Sequence, residues 1–253
     1  MKLDDSYTFV NFNSGSGGEF IISLIILMHN NTRINKMQIS EQGSCHKNRS
    51  LEPEVVSTWS PKYLDDFVYK THKSYEFLPV SQQMAPVCKS HLQSIELLAL
   101  MEHYSNSSVI NIVPDDTDTV ARNVIYKTLL PIRERTMFGG DDLVRMLTKL
   151  GLPITNDISS VTINEFDQVY NMIKHTWDHS GSSQLHSNAL PSNYYTIKLS
   201  EIINNKKGLF TKLNNITGFP ITNEALDFYD LYISKQPTPS NMKDFRSKLK
   251  QEN

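Results

Sequence analysis

The sequence predicts an α/β fold, a central parallel sheet flanked by helices, from three observations. Residues 7–29 read as a strand, a Gly/Ser turn and a helix. Residues 108–113, Ser-Val-Ile-Asn-Ile-Val, are a β-branched run closed by Pro114-Asp115-Asp116 and followed by a helical stretch. Elsewhere strand and helix signals alternate. Parallel pairing needs this order, because each strand must be carried back by a crossover before it can pair.

The first strand is predicted over residues 7–12 and leads into Asn13-Ser14-Gly15-Ser16-Gly17-Gly18. Glycines at such a turn let backbone N–H groups converge on an anion, and the dipole of the following helix favours negative charge there. The loop is therefore a candidate phosphate or sulfate cradle, with an ordinary flexible turn as the alternative. A nucleotide-triphosphate loop would carry Lys-Ser/Thr after its last glycine. Glu19-Phe20 stands there instead, which argues against an ATPase or GTPase. Glu19 suits the helix dipole but repels a bound anion unless it points outward.

Residues 19–29 are apolar on nearly all sides, as in a helix packed beside a sheet. Residues 30–54 are polar and without period, which predicts an exposed excursion. Ser60-Pro61 opens a predicted helix running to residue 69. A short strand follows within residues 85–92. A helix over 94–104 then places Leu97, Leu98 and Met101 on one face. After the strand at 108–113, Asp118 is the expected cap of a helix over 119–129.

Helices are also predicted over 141–150 and 164–177, and a His/Ser/Asn-rich exposed loop over 178–192. A strand at 194–199 and helices at 209–216 and 223–235 complete the set. The expectation is one α/β domain over 1–235, with 30–54 and 178–192 as insertions. A tail over 236–253 has room for a short charged helix.

Composition narrows the function classes. A net charge of -2 over 253 residues argues against a dedicated nucleic-acid binder. Cys45 and Cys88 alone give neither a disulfide framework nor a paired metal motif. The first residues lack the basic-then-apolar plan of a secretory signal, and the apolar run at 20–28 is too short to span a bilayer. A cytoplasmic protein with no membrane or nucleic-acid partner is expected.

Three segments, in this order, resemble the P-loop sulfotransferases. They are the loop at 13–18, Val87-Cys88-Lys89-Ser90-His91-Leu92, and the strand–Pro-Asp-Asp–helix segment ending at Arg122. The second is similar to the family's Lys-Thr-His-Leu strand end, and the third to the strand and helix that grip the 3′-phosphate of its donor. A weaker likeness joins Tyr195-Thr-Ile-Lys-Leu-Ser to the family's Tyr-Glu-Asp-Leu strand, followed by a helix ending near Gly218. The chain looks like a divergent member of phage or marine microbial type.

The resemblance implies a P-loop fold and transfer of a sulfuryl group from 3′-phosphoadenosine-5′-phosphosulfate (PAPS). The acceptor would be a hydroxyl or amine on a small molecule or glycan, with no metal required. Asn13, Ser14, Gly15, Ser16, Gly17 and Gly18 would hold the phosphosulfate. His91 would be the general base, and Lys89 would stabilise charge on the leaving oxygen. Alternate strand positions share a face, so Lys89 and His91 can serve one site.

Lys70-Thr71-His72 is a competing match in a helical context. Asn13 and Pro114 replace cations usual in the family, leaving Arg122, expected in the first turn of its helix, as the bidentate contact for the 3′-phosphate. An exposed helix arginine is the ordinary alternative. His175, His179 and His186 border a loop able to cover the site, though solvated histidines fit equally well. Two other classes stay open: a non-catalytic binding or structural protein that keeps the fold without the cofactor, and a kinase-like phosphotransferase.

Overall fold

The computed structural model describes residues 7–12, 15–29, 38–40, 43–45, 85–90, 92, 94–126, 162–179 and 190–247. In chain order its strands and helices are β1 (Thr8–Asn11), α1 (Gly18–His29), β2 (Val87–Ser90), α2 (Ser94–His103), β3 (Ser108–Val113) and α3 (Thr117–Val124). They continue with α4 (Ile163–His179), β4 (Tyr194–Lys198), α5 (Leu199–Asn204), α6 (Lys206–Thr217), α7 (Asn223–Ser234) and α8 (Pro239–Ser247). The helices expected at 61–69 and 141–150 lie outside the described residues.

The chain divides into two compact units, one holding the sheet with α1, α2 and α5–α7, the other α3, α4 and α8. In the first, the four strands are ordered β2-β1-β3-β4 and every pairing is parallel. Thr8 stands between Val87 and Ser108, and Asn11 between Ser90 and Asn111.

The chain leaves β1 toward one edge and returns past it to β3. Crossovers of one hand then place successive helices on opposite faces. The core divides accordingly. Val10, Val87 and Ile110 pack with α1 and with Phe228, Tyr229 and Tyr232 of α7. Phe9, Cys88 and Val109 pack with Leu97, Leu100 and Met101 of α2.

Residues 20–28 of α1 are buried throughout, since the sheet covers one side and α7 another. The inward face of α2 differs by one residue from expectation. Leu100 is buried with Leu97 and Met101, whereas Leu98 is half-buried. Within residues 30–54, Gln38 is exposed, but Ser44 and Cys45 are buried and Cys45 joins the α1 core. The excursion therefore returns an apolar thiol to the interior, and exposure along its whole length is not what the described residues show. Helix α5 was not anticipated; it follows β4 directly and buries Leu199 and Ile202.

In the second unit α3 starts two residues earlier than expected. Asp116, extended at φ -127° and ψ 91°, is its N-cap and accepts from the Thr119 amide at 3.0 Å. Asp118 instead lies in the first turn and accepts from Lys174 of α4 at 2.8 Å. The charged helix of the tail forms as α8. Asn241 Oδ1 accepts from the Thr238 amide while Thr238 Oγ1 accepts from the Asn241 amide, a reciprocal cap with Pro239 at the first helical position. Arg246 then donates through two nitrogens to the Asp167 carboxylate on α4, at 2.6 and 3.0 Å.

Candidate anion-binding site

β1 is the strand whose two neighbours were reached by opposite crossovers, so its C-terminal end opens at the topological switch of the sheet, where α/β ligands bind. The glycine loop sits there. Gly15 and Gly17 have φ of 81° and 83°, a left-handed backbone that disfavours any residue with a Cβ. Gly18, the first residue of α1, is required by close approach: a Cβ there would overlap the Phe12 ring. Ser16 is fully buried between them. Asn13 and Ser14 lie outside the described residues.

The loop is backed by residues that sequence reading did not single out. A Cβ built on Gly17 would meet the Tyr232 hydroxyl at 3.4 Å and methyl carbons of Ile202 and Leu199 at 3.8 Å. Tyr232 stacks on Phe20, with ring centroids 3.7 Å apart and planes 6° from parallel. The ring that fixes α1 thus presents its hydroxyl to the loop. Its only sequence signal was a buried-type aromatic on one face of α7.

Lys89 is a buried cation at this end of the sheet. It pairs in register with Val10, is 2% exposed, and places Nζ 5.5 Å from the Phe12 ring centroid. Its Nζ donates to Glu19 Oε1 at 3.0 Å, and the Glu19 side chain is only 10% exposed. Glu19 does not point outward. The carboxylate turns in and sets its charge against the buried ammonium. His91 lies outside the described residues, as do the competing Lys70 and His72.

On the other face of the same strand ends, a polar network crosses three strands. Asn11 Nδ2 donates to Asn111 Oδ1 at 3.0 Å, while Asn11 Oδ1 accepts from Ser90 Oγ at 3.1 Å and from the Leu92 amide at 2.8 Å. Asn11, Ser90 and Asn111 are all buried, so these bonds tie the ends of β1 and β2 to the middle of β3 in fixed positions beneath the loop. Polar residues near the ends of the first two predicted strands, with Asn111 inside the third, were the available clue.

The carboxylates after β3 have structural employment. Asp115 accepts from both the amide and the hydroxyl of Ser200, fastening the first turn of α5. Asp116 caps α3. Arg122 stands in the last turn of α3, not the first as expected, because capping begins at Asp116. It donates to Thr119 Oγ1 at 2.5 Å and lies 3.9 Å from Asp118. Its Nε is buried without a hydrogen-bond partner.

The side chains of His175 and His179, and the whole of His186, lie outside what is described. Among the described residues no helix is long and apolar enough to cross a membrane. An open groove of about 610 Å³ runs along α6, lined by Tyr195, Lys207, Thr211 and Lys212 among others. No residue of the glycine loop lines it, so it is separate from this site.

No protein-family profile matches the chain, and no curated protein matches it. Among solved structures it is similar to the sulfotransferase domain from the curacin biosynthetic pathway. The identity is 13% and the TM-score 0.37, over 88% of this chain and 77% of that one. It is also similar to sulfotransferase STF1 from Mycobacterium tuberculosis H37Rv, at 10% identity and TM-score 0.37, over 95% of this chain and 76% of that one. Likenesses of this size decide nothing about activity.

Proposed function

We propose that the chain is a sulfotransferase-like protein whose glycine loop holds the phosphosulfate of PAPS for transfer to a hydroxyl or amine acceptor. The observation that carries this reading is the left-handed glycine turn at the C-terminal end of the central strand, opening directly into α1. A loop of that shape offers backbone N–H groups and a helix dipole to an anion. The buried Ser16 beside it and Lys89 on the adjoining strand suit a sulfated phosphate. The donor supplies the sulfuryl group. His91 takes the proton that the acceptor loses, and Lys89 stabilises the charge on the oxygen that keeps the electron pair as the sulfur–oxygen bond breaks.

Recognition of a 3′-phosphate falls to Arg122 in this reading, because Pro114 carries no charge, Asp115 is engaged by Ser200 and Asp116 caps α3. A charged hydrogen bond contributes roughly 1.5–3 kcal/mol, so Arg122→Ala should weaken PAPS about tenfold to a hundredfold. The same variant should leave a ligand lacking the 3′-phosphate unchanged. Calorimetry with PAPS, its desulfated product and ATP tests the reading. Equal affinity for ligands with and without the 3′-phosphate in the unmutated protein sinks it, and preference for ATP favours the phosphotransferase alternative. The buried Lys89–Glu19 pair favours a second reading, a non-catalytic binding or structural protein that has kept the fold without the cofactor. Failure of both PAPS and its desulfated product to bind would support it.

A further inference from the structure

We propose that Glu19 is an internal competitor for Lys89, a carboxylate that a sulfate- or phosphate-bearing ligand must displace before the ammonium can serve it. The inference rests on the anion-binding reading of the loop and adds the determinant of its affinity. Glu19 is the second residue of α1, directly behind Gly18, where helix N-terminal partial charge meets a bound anion. Its Oε1 accepts from Lys89 Nζ at 3.0 Å. The two side chains are 10% and 2% exposed, so neither charge is screened by much water and each is strongly felt by the other.

The Lys89 ammonium has three donors on a flexible stem. It can turn from a carboxylate to another oxyanion while the backbone of β2 stays fixed by its pairing with β1. Two anions near one cation are mutually exclusive where desolvation makes like charges costly. Ligand affinity is thereby set low, and the loop selects ligands that bring more than one negative charge. Inorganic pyrophosphate, with several charges, competes better than a singly charged anion of the same size.

The test is titration calorimetry of the full chain with inorganic pyrophosphate and with PAPS. Glu19→Gln keeps the shape and an acceptor for Lys89 while removing the competing charge, and should tighten both ligands about tenfold. The double variant Glu19→Gln/Lys89→Met should bind no tighter than the unmutated protein. An unchanged or weakened Glu19→Gln overturns the proposal. So does a double variant that keeps the gain, since Glu19 would then act by its own charge and not through Lys89. If PAPS and pyrophosphate bind neither the unmutated protein nor Glu19→Gln, the anion-binding reading itself fails. If the unmutated protein binds and Glu19→Gln adds nothing, only the competitor role fails. Carboxyl-carbon NMR of the unmutated protein gives a readout independent of the variants' folding. The Glu19 resonance should move on saturation with pyrophosphate as it loses its partner, and a stationary resonance at saturation overturns the exchange.

Discussion

Gly17 and Gly18 look interchangeable in the sequence but are glycines for different reasons. Gly17 needs a left-handed backbone, whose cost for other residues is about 1–2 kcal/mol. Its would-be Cβ meets nothing closer than 3.4 Å. Gly17→Ala should therefore lower stability by about that amount and no more. Gly18 has ordinary helical geometry, but its Cβ would overlap the Phe12 ring. Gly18→Ala should force α1 or Phe12 to move, an overpacking penalty of about 1–3 kcal/mol. Denaturant midpoints of the two variants check both, and a neutral Gly18→Ala would contradict the packing. Lys89→Met removes one partner of a buried ion pair and should destabilise by about 3–5 kcal/mol, much of it recovered when Glu19→Gln is added.

Helices α3 and α8 of the second unit begin at polar caps, and the two candidate caps of α3 can be ranked by substitution. Asp116→Ala removes the side-chain acceptor for the Thr119 amide and should cost about 1 kcal/mol. Asp118→Ala removes a partly exposed pair with Lys174, worth less than about 1 kcal/mol. Thermal melts giving the opposite order would restore Asp118 as the effective cap. On α2, the buried Leu100 should lose about 2–5 kcal/mol on truncation to alanine, and the half-buried Leu98 clearly less. The 3.6-residue period put Leu98 on the inward face with Leu97 and Met101, where the structure has Leu100. The sheet side of the helix decided between them.

Over the whole molecule, acid sensitivity should show in the second unit. The hydrogen bond from Lys174 holds Asp118 below the ordinary carboxylate range, against the upward push of burial. Arg246 does the same to Asp167. A depressed folded pKa contributes stability above the unfolded value of about 3.9, and that contribution is lost as pH falls through the lower folded value. Carboxyl-carbon titration should place both midpoints below about 3.9. Lys174→Met should raise that of Asp118 alone, and midpoints at ordinary values would show that these pairs do not hold in solution.

The sequence by itself determined the α/β class, the strand at residues 108–113, the buried character of α1 and the place of the glycine loop. Each rests on local physics: β-branched runs, an all-round apolar helix, and glycines clustered where a strand turns into a helix. Tertiary structure decided which neighbours these elements meet. Asp115, Asp116 and Asp118 are equally good caps in sequence, and only the start of α5 and the position of Lys174 separated their tasks. Tyr232 reaches the loop from α7, far along the chain from Gly17. The orientation of Glu19 was undecidable locally, because the helix dipole favours an acid there whether it faces water or the interior. Burial of Lys89 on the neighbouring strand turned it inward, since an ammonium deprived of water requires a counter-charge.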